Sequence, residues 1–376
     1  MNTRFGFVST FPPTQCGLAT FTAALRGALF DGSTDVGCVV RLVEAPTARA
    51  VDEAVSHLVM GDVPSLHESA ARLNQCDVAI VQHEYGVYGG EDGSDVLLLL
   101  DRIQVPTVVV LHTVLSRPTT RQRQILESVV SKADAVVTMT EAARGRLASG
   151  YAVDMAKVCI IAHGAPSPRP TPILPTVRAG HVTILTWGLL GPGKGIEWAV
   201  QAMGMVGDLR PMPRYVIAGQ THPKVVSREG EAYRDRLHEQ VRQVGVEAWV
   251  RIDGRYRDAD ALATLVRSAD IVLLPYDSTE QVTSGVLIEA IAAGKPVVAT
   301  AFPHALELLA GGAGIVVPHR DPAAIAAALR SMITQKGLAA TMANAAAASA
   351  PKLLWPAIAE QYRALAARLI TASIAA

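Results

Sequence analysis

Ile271-Val272-Leu273-Leu274-Pro275, and then Ser278-Thr279-Glu280-Gln281-Val282-Thr283-Ser284-Gly285-Val286-Leu287-Ile288-Glu289-Ala290-Ile291-Ala292-Ala293-Gly294-Lys295-Pro296-Val297-Val298, is the most informative stretch of the chain. Its first run is apolar throughout, as a strand covered by helices on both faces must be. Thr283-Ser284-Gly285 reads as a helix start, and Gly294-Lys295-Pro296 ends that helix and opens a second apolar run. Strand, loop, helix, strand in this order is one βαβ unit of a parallel sheet.

The same alternation extends in both directions. In the first half of the chain, short β-branched runs are expected as strands at 4–9, 36–43, 77–82, 107–111, 135–138 and 158–162. Pro166, Pro168, Pro170, Pro172 and Pro175 then form an extended connector. Beyond it strands are expected at 182–187, 214–219, 249–253, 271–275, 296–300 and 315–318, and an Ala-rich helical tail from about 321. The reading is an α/β protein of two doubly wound Rossmann-like domains: 1–165, a linker at 166–177, and 178–355, with a C-terminal helix at 356–376 packing back on the first domain. Sheets of this kind bind ligands outside the carboxyl ends of their strands, so two that face each other would place a site in the cleft between them.

Composition narrows the function. The 376 residues carry 34 Lys+Arg against 34 Asp+Glu, which gives no net field to hold nucleic acid or an anionic membrane. Half the residues are hydrophobic and 18% are charged, too apolar for disorder. Cys16, Cys38, Cys76 and Cys159 show no zinc spacing, which points to a reducing compartment without structural metal. Residues 1–13 do not read as a signal peptide, and no run of eighteen apolar residues suggests a spanning helix. A cytoplasmic protein is expected, at most peripheral at the inner face of the membrane, with no oligomeric state indicated.

Gly188-Leu189-Leu190-Gly191-Pro192-Gly193-Lys194-Gly195 follows the strand at 182–187 and opens a helix. Backbone N–H groups, a helix N-terminus and Lys194 make it a place for phosphate. It also spells GxxxxGK, but a nucleotide-hydrolase P-loop needs Ser or Thr next to hold magnesium, and Gly195 stands there. At Ser284, Gly285 and Val286 the helix start offers free N–H groups. Glu289, one turn on, can accept from two ribose hydroxyls. Asp258-Ala259-Asp260 spells the DxD of metal-dependent transferases, but its place before a helical run favours capping, and no metal is expected. Arg117, Arg121 and Arg123 read as a solvated helix face.

Residues 270–300 resemble the donor-binding signature of retaining GT-B-fold glycosyltransferases of the large family-four (group 1) type. Lys194-Gly195 resembles that family's Lys-Gly, and Phe302-Pro303-His304, Glu307, the run 311–318 and Asp321-Pro322 are similar to its later elements. The resemblance implies transfer of a hexose, mannose or glucose, from a nucleotide-diphospho-sugar such as GDP-mannose or UDP-glucose to a hydroxyl of a saccharide or glycolipid, with retention and without metal or other cofactor. It assigns Gly17, Gly193, Lys194, Ser284, Gly285, Val286 and Glu289 to the nucleotide, and His112 with Glu280 or Gln281 to the donor sugar. The family's first glutamate position is Gln281 here, with Glu280 one residue earlier, and its arginine position is Leu189; Arg255 or Arg257 is a candidate to help neutralise the diphosphate.

In the first domain, Gly17 follows Cys16 where the family has paired glycines. Cys16 at a helix N-terminus is a rival nucleophile, without an identifiable base. His83-Glu84-Tyr85-Gly86 ends the strand at 77–82, and its aromatic and acidic character makes it the acceptor-site candidate. His163-Gly164 reads as a turn. The alternatives are a nucleotide-sugar epimerase or a non-catalytic sugar-nucleotide-binding relative on the same fold, and, less favoured, a P-loop-type nucleotide hydrolase.

Overall fold

The computed structural model describes residues 2–46, 54–167 and 180–375. The proline-rich connector from residue 168 to 177 lies outside the described residues. The chain divides into two units, Met1–Gly164 with Leu354–Ala376, and Ala165–Leu353.

The first unit is built on β1 (Arg4–Ser9), β2 (Val36–Val43), β3 (Val55–Val59), β4 (Val78–His83), β5 (Thr107–Leu111), β6 (Ala135–Thr138) and β7 (Val158–Ile160). They form one sheet in the order β3-β2-β1-β4-β5-β6-β7, every neighbouring pair parallel. Strands β4, β5 and β6 are buried along their whole length, because helices cover both faces. The chain reverses its direction of winding between β1 and β4, and the loops after these two strands flank that switch point.

Helix Gly17–Phe30 and helix Trp355–Ala375 close one face of this sheet. Phe5, Phe7, Phe21, Leu25, Trp355, Ile358 and Tyr362 make a common core. Trp355 lies so close on Gly164 that a Cβ there would come within 2.2 Å of the indole, so the backbone at 164 must be bare. Arg363 holds the packing from the edge: its guanidinium donates to the Leu29 and Ala28 carbonyls and pairs with the buried Asp35 at 3.0 Å. Burial works to raise the Asp35 carboxyl, but donors from Thr3, Ser33 and Arg363 outweigh it and leave it below the usual range.

The second unit contains β8 (His181–Trp187), β9 (Met212–Ala218), β10 (Val250–Asp253), β11 (Ile271–Leu274), β12 (Val297–Thr300) and β13 (Gly314–Val317). The order is β10-β9-β8-β11-β12-β13, again parallel throughout, with the switch point between β8 and β11. Helices Pro322–Thr334 and Leu338–Ser349 complete the unit. Asp258 caps helix Ala259–Ser268, accepting from the Ala261 N–H at 2.8 Å, so the DxD is a helix start.

One strand has no counterpart in the sequence reading. β3 is a half-buried edge strand whose Ser56 and His57 interrupt the apolar run, and it is held by register with β2 from Val39↔Val55 to Val43↔Val59. Among the described residues, no helix is long and apolar enough to cross a membrane.

Candidate functional site

The loop 188–195 leaves β8 at the switch point and is tied down on both sides. The Leu190 N–H donates to the Gln220 carbonyl at 2.9 Å, and the Leu190 carbonyl accepts from the His222 N–H at 2.8 Å, which straps the loop to the one after β9. Asp277 N–H donates to the Gly193 carbonyl at 3.0 Å, which straps it to the loop after β11. Gly195 has φ +62° and caps helix Ile196–Gly204. A Cβ at this position would stand 1.8 Å from the Pro275 carbonyl oxygen, so the Ser or Thr of a magnesium-binding P-loop has no room here. Gly193, by contrast, faces open space.

Lys194 is half-buried, and its ammonium lies 4.5 Å from the centre of the Tyr276 ring. Tyr276 is 1% exposed and stacked on Phe302 at 5.2 Å, and its carbonyl accepts from Thr300 Oγ1 at 2.6 Å. The aromatic face is therefore immobile, and it fixes the direction of the one lysine in the loop.

The helix start behind this loop is narrower than the sequence implies. Ser284 Oγ caps helix Gly285–Ala292 by accepting from Leu287 N–H at 3.2 Å. The Ser284 N–H, expected to be free, donates to His304 Nδ1 at 2.8 Å in a buried contact. Ser284 is thus corrected from an anion donor to a structural cap. The N–H groups of Gly285 and Val286, first-turn amides without an intrahelical acceptor, remain. Gln281 also turns inward, donating from Nε2 to the Thr283 carbonyl at 3.1 Å, while Glu280 N–H bonds Ser278 Oγ at 3.3 Å.

Glu289 sits on this helix and reaches the end of β8. Trp187 Nε1 donates to its Oε2 at 3.2 Å. Burial pushes the Glu289 carboxyl up, and the indole bond opposes that rise.

The expected arginine assistance is not arranged for a phosphate. Arg255 grips Asp253 with Nε and Nη2 at 3.0 and 2.7 Å, and Arg257 Nη2 holds the same carboxylate at 2.7 Å. Both are corrected to partners of Asp253, a 7% exposed residue whose carboxyl they hold far below its usual range.

In the first unit, Gly17 opens helix Gly17–Phe30 with nothing near its Cβ position, and Cys16 Sγ is paired with Thr10 Oγ1 at 3.1 Å rather than with a base. His112 Nε2 lies 2.7 Å from Gln82 Oε1, and its ring packs edge-on to Phe21. Burial, and the charges that His163 and His83 would carry, push His112 down to about 3, so the ring is neutral. Donation from Nε2 leaves Nδ1 as an acceptor. His163 Nδ1 bonds the Gly164 carbonyl at 2.7 Å, a local turn.

The acceptor reading needs correction at two positions. His83 is 1% exposed with its Nδ1 unpartnered, and Tyr85 is 8% exposed with its hydroxyl on the Gln122 carbonyl. β4 is shifted by one residue from the expected 77–82, so that His83 is its last residue, and both rings are buried in the unit. Glu84 accepts from Tyr85 N–H and from the Thr113 hydroxyl, and Gly86 alone of the four is exposed. Trp187, Tyr276 and His304 escaped the sequence reading as site residues. Their place beside β8, β11 and β12 was the available signal.

The sequence profile of the family described as "Glycosyl transferases group 1" matches residues 181–335. A D-inositol 3-phosphate glycosyltransferase of Kineococcus radiotolerans is 31% identical over 297 residues, 70% of this chain and 66% of that protein. Over these stretches the chain is similar to the group 1 glycosyltransferases. Glycogen synthase of Mycobacterium tuberculosis is 28% identical over 252 residues, 64% of this chain and 58% of that one. The chain thus spans less than two thirds of the length of these relatives. The structure of Anabaena HepE in complex with UDP and glucose superimposes with a TM-score of 0.76 at 17% identity, covering 98% of this chain and 100% of that chain, which shows the GT-B fold. The Pro275 carbonyl against Gly195 is a local reason for a glycine after Lys194, while Gln281 and Leu189 stand where the resemblance expects a glutamate and an arginine.

Proposed function

We propose that the chain transfers a hexose, mannose or glucose, from a nucleotide-diphospho-sugar such as GDP-mannose or UDP-glucose to a saccharide or glycolipid hydroxyl, with retention. The observation that carries this reading is the convergence at the β8/β11 switch point of the open Gly193 turn, the aimed Lys194 and the two remaining helix-start amides. A departing nucleoside diphosphate develops charge as an oxocarbenium-like sugar forms, and fixed donors lower that barrier without reorganising. One donor of this kind contributes about 3–4 kcal/mol in the transition state.

In this reading Lys194, Gly193, Gly285 and Val286 take the diphosphate and Glu289 takes the ribose. Gly17 supplies a bare backbone to the diphosphate, and His112 with Glu280 or Gln281 is assigned to the donor sugar. The Glu84-Tyr85-Gly86 loop meets the acceptor through Glu84 and its main chain. The cationic role is filled by Lys194 and amides, and no metal is invoked. The reaction takes place in the cytoplasm, at most at the inner face of the membrane.

The test is a thermal-shift panel of GDP, UDP, ADP and TDP and the corresponding triphosphates, with and without magnesium, on the wild type and on Lys194→Ala, and then turnover with candidate acceptors. A ligand at a hundred times its Kd adds about 2.7 kcal/mol of stability. One metal-independent hit, lost in Lys194→Ala, is the expected result. A response confined to triphosphates with magnesium would overturn the reading, and donor conversion without acceptor would replace transfer by epimerisation.

A further inference from the structure

We infer that Trp187 is a positioning residue for the donor nucleotide: its indole N–H fixes the Glu289 carboxylate so that the other oxygen is presented to the ribose hydroxyls. The inference rests on the proposed glycosyl transfer and deepens it, since it concerns how the ribose is recognised.

Trp187 is the last residue of β8 and 3% exposed, so its ring has one place to be. Glu289 is 102 residues later in sequence, on the helix that starts across the switch point. The two are brought together because β8 and β11 are neighbours in the sheet, with Ile271 registered on Ile184. The indole is the one protein hydrogen-bond donor to the Glu289 carboxylate among the described residues. It occupies Oε2 and leaves Oε1 as an acceptor.

The chemistry is directional. An indole nitrogen donates and never accepts, so it can hold only an acceptor oxygen. A glutamate side chain has three rotatable bonds, and a carboxylate that must meet two vicinal hydroxyls loses affinity when it samples other rotamers. Burial alone pushes this carboxyl toward its neutral form, whose O–H is a poorer partner for a diol than a carboxylate. The indole bond opposes that drift as well as fixing the angle. Trp187 touches neither the reacting carbon nor the phosphates in this scheme, so its effect is on recognition and not on the chemical step.

The experiment compares the tightest-binding nucleoside diphosphate with its 2′,3′-dideoxy form by calorimetry, on the wild type, Trp187→Phe, Glu289→Gln and the double variant. Phe keeps a buried aromatic ring and removes the donor together with part of the indole's volume, so the ribose-against-dideoxy comparison within each variant isolates the donor's part. The expected result is that wild type prefers the ribose form, and that Trp187→Phe loses roughly a factor of ten of that preference while binding of the dideoxy form is nearly unchanged. The double variant should lose no more than Glu289→Gln alone. A Trp187→Phe protein that discriminates as well as wild type would overturn the inference and leave the proposed transfer standing. A wild type that binds no nucleoside diphosphate would overturn the proposed transfer itself. Should Trp187→Phe fail to fold, the unmodified chain answers through its 15N-labelled indole resonances: the Trp187 N–H signal should move with the ribose form and stay with the dideoxy form. Identical movement with both would count against the proposal.

Discussion

The carbonyl oxygen of Pro275 occupies the space that a side chain on Gly195 would need, leaving 1.8 Å to an added Cβ. Loop 188–195 and the end of β11 are thereby pressed together at the point where the diphosphate is proposed to bind. Gly195→Ala adds that clash to a left-handed backbone of φ +62°. The substitution is expected to destabilise the second unit by about 3 kcal/mol or more, read as a fall in the urea midpoint. A variant as stable as wild type would mean that the loop shifts freely.

Lys194 and Tyr276 separate binding from stability. Lys194→Ala should weaken nucleoside diphosphate binding by about 2–3 kcal/mol, roughly thirty- to a hundred-and-fifty-fold, with little change in Tm. Tyr276→Phe keeps the aromatic face and removes a buried hydroxyl that has no partner. Its stability should therefore be unchanged or raised by about 1 kcal/mol, with affinity retained. Unequal affinity in the Phe variant would assign the hydroxyl a role that the lysine contact does not explain.

Glu289 gives a pH signature. Its folded carboxyl is raised above the ordinary 4.5, so the folded state binds its proton more readily than the unfolded chain does. The group therefore favours folding below 4.5 and progressively disfavours it as pH rises through the raised value. Glu289→Gln should be more stable than wild type at pH 7, by a margin that shrinks toward pH 4.5. Denaturation midpoints at pH 7 and 5 measure this, and a margin independent of pH would contradict it.

His83 has the opposite sign to an acid held neutral. Burial lowers it from 6.5 to about 4, so the unfolded chain takes up a proton that the folded one refuses. Its contribution to stability is complete above pH 6.5 and is lost as pH falls from there toward 4. His83→Leu should flatten the acid side of the stability profile of the first unit. Retention of the full wild-type slope would place the acid sensitivity elsewhere.

The fold was legible because fully buried parallel strands are written as uninterrupted apolar runs; β5, β6 and β12 match their runs with little shift. β3 was not, since a half-exposed edge strand with Ser56 and His57 has the composition of a loop. The geometry of the candidate site was legible where it depends on backbone, at Gly193 and Gly195, both at positive φ, and on one long cation, Lys194. It was misread where the answer depends on which way a side chain turns. His83 and Tyr85 look like a polar rim in sequence, yet their rings pack on each other at 5.2 Å inside the unit. The Ser284 amide looks free until His304, 20 residues on, is brought against it. Arg255 and Arg257 look available until Asp253 takes both.

The Ala165 N–H donates to the Leu353 carbonyl at 2.7 Å, so the second unit begins and ends at one point, and residues from Leu354 onward return to finish the first unit. In the order of synthesis, the second unit is an uninterrupted insertion that can assemble as soon as Leu353 has emerged. The first must wait: the ribosome delivers its sheet first, but the helix that covers Phe5, Phe7 and Phe21 follows only after the whole insertion. Until then the half-built unit carries an uncovered aromatic face, and the nascent chain is most exposed to misassociation during translation of the insertion.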